Sequence, residues 1–200
     1  AAAQTNPLST TMSISIMRHG APDFPVFLQR INSQQFHEFW DLYNQSGLSS
    51  LSRPESSVIG RFQDCKAIVA SNLKRSLESA TVFTRQNRMI VNPLFREVER
   101  PYCHIPFVRL RARSWVYLFM VLWLLGVMDR FNSFQEARER ARECAEELTR
   151  YSEHFGHVLL VGHGYMNTYI RRELLNIGWN GPNMLHASYW SFATYTRNGG

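Results

Sequence analysis

Apolar and small polar residues alternate along Met12-Ser13-Ile14-Ser15-Ile16-Met17, and the alternation ends abruptly at Arg18-His19-Gly20. A period of two marks a half-buried β-strand. Continuous apolar runs over 66–70, including Ala67-Ile68-Val69-Ala70, and over 157–162, including Val158-Leu159-Leu160-Val161, predict two further strands, and Met89-Ile90-Val91 a brief one. Between them the period changes to that of helices. Phe36, Phe39, Trp40 and Tyr43 recur at helical spacing over Gln34–Tyr43. Ser52-Arg53-Pro54-Glu55 reads as a helix start with proline in the first turn, the helix running to Asp64. Further helices are predicted over 73–87, over the apolar stretch Trp115–Met128, over Phe134–Phe155, and from Tyr165 to Asn176, with Gly178 as its cap. Residues 93–115 read as loop, and the aromatic–small alternation at 187–195 as a last, edge strand. Strands alternating with helices predict an α/β fold, a three-layer α/β/α sandwich forming a single domain over 12–200, with 93–130 a substrate-side insertion.

The strand ends carry the chemistry. Arg18 and His19 follow the first strand; Ser71-Asn72-Leu73-Lys74-Arg75 follows the second; His163-Gly164 follows the strand over 157–162. In α/β sheets ligands bind outside the carboxyl ends of the strands. If these three strands are neighbours, Arg18, His19, Arg75 and His163 meet at one electropositive point. Arginine offers a planar fork to oxyanions, histidine is a nucleophile or acid–base group, and Gly20 would let a ligand approach the backbone.

This ordered set resembles the histidine phosphatase superfamily, the phosphoglycerate mutase-like enzymes. The matching pieces are Arg18-His19-Gly20, the Ser-x-Leu-x-Arg segment at Ser71, Leu73 and Arg75, Arg96-Glu97 after the brief strand, and His163-Gly164. The resemblance implies a mixed, mostly parallel central sheet and a phosphoric monoester hydrolase forming a phosphohistidine on His19. Attack on a phosphate dianion needs positive charge, from a metal or from fixed cations. Here Arg18, Arg75 and a His163 protonated by the anion would bind the equatorial oxygens, with neither metal nor cofactor. Glu97, in Leu94-Phe95-Arg96-Glu97, would protonate the leaving group and then activate water; Glu99 is the alternative. Gly20, Asn72, Glu99 and Arg100 are candidate substrate-side residues. Two departures concern the substrate side. Pro25 stands where many relatives have asparagine, and Glu99-Arg100-Pro101-Tyr102-Cys103 replaces a Gly-x-Trp-Glu-Gly segment. The mutase reaction and a non-catalytic phosphate-binding module are the competing functions.

Composition adds bounds. The 200 residues are 44% hydrophobic and 19% charged, with a net charge of +6. The charge favours anionic partners, but no basic run interleaved with aromatics signals nucleic-acid binding. Cys65, Cys103 and Cys144 lie far apart and suggest neither a disulfide framework nor a metal site. A reducing, cytoplasmic setting follows as an expectation. The apolar segment 115–128 falls short of the ~20 residues that span a bilayer. It is expected to be a buried or homodimer-forming helix, or, after the arginines at 100, 109, 111 and 113, a membrane-surface segment. Those arginines would alternatively meet a second anionic group on a phosphorylated small-molecule substrate. Residues 1–11 are expected to be disordered, an expression remnant or the trimmed end of a signal peptide.

Overall fold

A computed structural model describes residues 11–24, 29–84, 88–99, 102–125, 134–184, 186 and 188–198. Its five-stranded sheet contains β1 (Thr11–Arg18), β3 (Ala67–Ala70), β4 (Arg88–Val91), β6 (His157–Gly162) and β7 (Phe192–Asn198), in the order β4-β3-β6-β1-β7. Only β7 runs antiparallel to its neighbour. Alternation along the strands sorts two faces. Ile14, Ile16, Ala67, Val69, Val158 and Leu160 pack under α5 (Phe134–Phe155) and α6 (Gly164–Asn176). Met17, Ile68, Ala70, Leu159 and Val161 pack with Phe62 and Phe83, beside α2 (Ser56–Arg61) and α3 (Lys74–Thr81). The fold is therefore the expected three-layer α/β/α sandwich with a mixed, mostly parallel sheet.

A third apolar cluster lies apart from the sheet. There α1 (Ser33–Gln45) packs through Phe36 on Trp115 and Phe119 of α4 (Ala112–Leu124). The Trp115 indole N–H donates to the Ile31 carbonyl at 2.7 Å. That ties α4 to a two-stranded ribbon of β2 (Arg30–Ile31) and β5 (Leu110–Arg111).

Several elements depart from the sequence reading. The 93–115 stretch is not all loop: it contains a single 3₁₀ turn at Pro93–Phe95 and β5, and α4 starts at Ala112, before Trp115. α2 begins at Ser56, so Pro54 precedes the helix rather than occupying its first turn. α3 stops at Thr81, and its expected end at 85–87 lies outside the described residues. The last strand does lie at an edge, but it begins at Phe192, because Trp190 adopts a left-handed φ of 63° in the preceding turn. Gly178, with φ of 90°, terminates α6 as expected. Residues 1–10, 25–28, 100–101 and 126–133, including Pro25 and Arg100, lie outside the described residues.

Candidate active site

β6 lies between β1 and β3, so the three strands that carry basic residues release them at adjacent points of the carboxyl edge. The His19 and His163 ring centroids are 5.1 Å apart. The His19 Nδ1–H donates to the Gly20 carbonyl at 2.7 Å, because a carbonyl can only accept. This fixes the neutral tautomer and leaves the Nε2 lone pair in the cleft. Arg75 Nε donates to that Nε2 at 3.2 Å. Burial, with the Arg75 and Arg18 guanidinium groups adding to it, lowers the His19 pKa from 6.5 to about 3, against the opposing pull of the Gly20 hydrogen bond.

Arg75 is 1% exposed. Its guanidinium donates to the carbonyls of Tyr43 and Asn44 at 3.2 and 3.4 Å and to Asn44 Oδ1 at 3.4 Å, and lies 4.7 Å from the Tyr43 ring centroid. The end of α1 thus holds it. Arg18 lies 4.3 Å from the Tyr189 ring centroid.

His163 is wholly buried. Its Nε2 pairs with Ser71 Oγ at 2.7 Å, and Ser71 Oγ accepts the Leu73 N–H at 3.2 Å. When the serine hydroxyl donates to this nitrogen, the proton of the neutral imidazole sits on Nδ1. That Nδ1 has no hydrogen-bond partner among the described residues. Burial first, then the charges of His19, Arg75 and Arg18, hold its pKa well below 6.5. With its proton on Nδ1, a neutral His163 can already donate in the ligand-free protein.

Glu97 joins the site from the far side. Its carboxylate accepts the backbone N–H groups of Met166 at 2.9 Å and Tyr165 at 3.3 Å, at the amino end of α6, and of Val98 at 3.0 Å. The helix dipole favours an acidic group there. With Arg18, His19, Tyr43, Trp40, Tyr165 and His186, Glu97 lines a cavity of about 350 Å³. Glu99 is exposed and faces a different cavity of about 560 Å³, which shares Trp40 and Glu97 with the first and adds His37, Asp41, Arg96 and Tyr102.

One of the substrate-side expectations changes. A Cβ on Gly20 would lie 2.3 Å from Trp190 and 2.5 Å from Leu48, so the missing side chain makes room for packing, not for a ligand. Asn72 is exposed and accepts from Arg96 at 3.4 Å. Leu73 is the N-cap residue of α3, and its own side chain makes no capping hydrogen bond. Sequence reasoning missed Tyr189, Tyr43 and the pairing of Ser71 with His163. It also missed Asn167, which donates to the Met17 carbonyl at 2.9 Å and accepts from His163 N–H at 3.1 Å. An amide four residues into a helix carries no sequence signal of such a role.

The sheet order and the residues gathered at its carboxyl edge are those of an α/β phosphatase. The chain belongs to the histidine phosphatase superfamily, branch 1, whose family model matches residues 14–200, and it is an enzyme of the histidine phosphatase type. No curated protein sequence matches it. Among solved structures it is similar to a mycobacterial glucosyl-3-phosphoglycerate phosphatase in complex with VO3, with 19% identity over 92% of this chain and 90% of that one and a TM-score of 0.60. It is also similar to "Mycobacterial hydrolase 2" (18%, 95% and 84%, TM-score 0.63). A third is the ecdysone phosphate phosphatase of Bombix mori in complex with tungstate (13%, 92% and 88%, TM-score 0.54).

Proposed function

We propose that the enzyme hydrolyses phosphate monoesters without a metal, through a phosphohistidine on His19. The observation that carries this is the hydrogen bond from His19 Nδ1 to the Gly20 carbonyl, which leaves Nε2 as the attacking atom. With a pKa near 3, His19 is neutral at every pH where a cell would use it. On substrate binding Arg75 exchanges its bond to Nε2 for phosphate oxygens, which frees the lone pair as it neutralises the anion. Arg18 and the His163 Nδ1–H bind the remaining oxygens. The Nε2–P bond forms as the P–O bond of the ester breaks, and the leaving oxygen takes a proton from Glu97. Water then attacks phosphorus, gives its proton to Glu97, and releases inorganic phosphate and His19.

The mutase reading requires the phosphoryl group to return to a second substrate hydroxyl. A phosphomonoesterase is the reading the family and its phosphatase neighbours support, and its substrate is a phosphorylated small molecule.

Turnover of p-nitrophenyl phosphate tests the proposal. Activity should persist in EDTA and fall by about 10⁴-fold or more in His19→Ala. Alkaline quenching during turnover of a radiolabelled ester should trap base-stable, acid-labile label on the wild type and none on the variant. Glu97→Gln should lower kcat by about 10²–10⁴-fold for an ester with a poor leaving group, and Glu99→Gln should leave it near the wild-type value. Loss of activity in EDTA that added metal restores would overturn the reading.

A further inference from the structure

Away from the catalytic cleft, basic and apolar groups meet on the ribbon and on α4. In the ribbon Arg30 stands directly opposite Arg111. Like charges facing each other across a strand pair destabilise it, so the pairing calls for an anion. Arg109 brings a third guanidinium by donating to the Arg30 carbonyl at 3.3 Å. Arg111 leads straight into α4, whose first turn carries Arg113. All four arginines are exposed, and none belongs to an ion pair among the described residues.

The same helix continues the surface in apolar form. Arg113, Tyr117, Val121 and Leu125 follow one another at four-residue spacing, which sets them on one side. Tyr117, Val121 and Leu125 are 56%, 52% and 70% exposed, while Trp115 and Phe119, on the other side, are buried against α1. Arg113 donates to the Tyr117 hydroxyl at 3.2 Å. Phe107, in the turn that leads to the ribbon, is fully exposed with a left-handed φ of 64°. A solvated helix rarely turns three large apolar side chains outward in series beside a basic cluster.

We propose that this face docks on the surface of a membrane that contains anionic lipids. α4 lies in the interface plane, with Tyr117, Val121 and Leu125 at the headgroup–acyl boundary and Arg30, Arg109, Arg111 and Arg113 on anionic headgroups. No helix among the described residues is long and apolar enough to cross a membrane, so the helix lies on the bilayer and does not span it. Charge decides between lipid and a second copy of the chain. A two-fold contact would set this patch on itself, arginine against arginine, whereas an anionic leaflet complements it.

Co-sedimentation with vesicles tests this independently of catalysis. The protein should pellet with phosphatidylcholine vesicles containing phosphatidylserine, not with phosphatidylcholine alone, and added salt should release it. Arg111→Gln and Arg113→Gln should each lower the partition coefficient about fivefold. The triple variant Tyr117→Ser, Val121→Ser, Leu125→Ser should stop pelleting while its turnover of p-nitrophenyl phosphate and its Tm match the wild type. No pelleting with phosphatidylserine at low salt would overturn the proposal. So would a wild-type dimer in sedimentation velocity that the triple variant dissolves, without vesicle binding.

Discussion

His19 and His163 are both neutral in the folded protein for the same reason: each is buried among cations that oppose a further charge. Stability is linked to this. Both folded pKa values lie below the unfolded value, that of His19 at about 3, so as pH falls below about 6.5 the unfolded chain binds more protons and unfolding gains. The penalty is absent above the unfolded pKa and complete only below the folded one. The ligand-free enzyme should therefore lose stability from pH 7 to pH 5, each histidine contributing up to about 1.4 kcal/mol per pH unit. His163→Gln should flatten the Tm–pH curve, and an unchanged curve would refute the linkage. Ser71→Ala tests the donor assignment. It leaves His163 Nε2 buried without a partner and releases the tautomer, a loss of about 1–3 kcal/mol in transition-state stabilisation, or about fivefold to 150-fold in kcat. At this scale the sequence was legible wherever a residue's position after a strand fixed its place at the carboxyl edge, as for Arg18, His19, Arg75 and His163. It was illegible for Ser71, whose partner lies 92 positions away.

The elements themselves matter through their ends. Three short parallel strands must finish in register for the histidines to meet, and Asn167 fastens two of those ends. From α6 it joins the Met17 carbonyl of β1 to the His163 N–H that follows β6. Gly162 leaves the space for it, since a Cβ there would lie 2.2 Å from Asn167 Oδ1. Asn167→Ala leaves the buried His163 N–H without its acceptor and takes the amide donor from the Met17 carbonyl. It should destabilise the fold by about 2–4 kcal/mol and lower kcat more than it raises KM, readable from chemical denaturation and steady-state kinetics. Gly162→Ala should resemble it, by displacing the amide. The long amphipathic α5 and the apolar core strands were readable because many residues repeat one period. The ribbon was not: two residues per strand carry no periodicity, and its pairing depends on Trp115 holding Ile31 from a distant helix. The final strand was misplaced because alternation at 187–195 continues through a turn that a left-handed Trp190 imposes, with its indole packed where Gly20 lacks a side chain.

Across the whole molecule the positive charge is unevenly spread, and this bears on substrate choice. The arginines at 109, 111 and 113 were expected to meet a second anionic group on the substrate. None of them lines the cavity at His19 or the larger one that shares Trp40 and Glu97 with it; they occupy the ribbon and α4 instead. The larger cavity, which would receive the leaving group, presents Asp41, Glu97 and Glu99 against Arg96 and His37. Among the described residues Asp41 and Glu99 outweigh Arg96 and disfavour a second phosphate, while Trp40 and Tyr102 offer flat faces and Asn44 and Gln45 hydrogen bonds to an uncharged polar group. Monophosphates with neutral, hydroxyl-bearing leaving groups should therefore exceed the corresponding bisphosphates in kcat/KM by tenfold or more at low ionic strength, an effect of about 1.4 kcal/mol that salt should shrink. Asp41→Asn and Glu99→Gln should each narrow the gap by improving the bisphosphate alone, because neither side chain touches His19. A bisphosphate turned over as well as its monophosphate would mean that positive charge reaches the cavity from elsewhere in the chain. The assignment of Asp41 and Glu99 as the residues that exclude it would then fail.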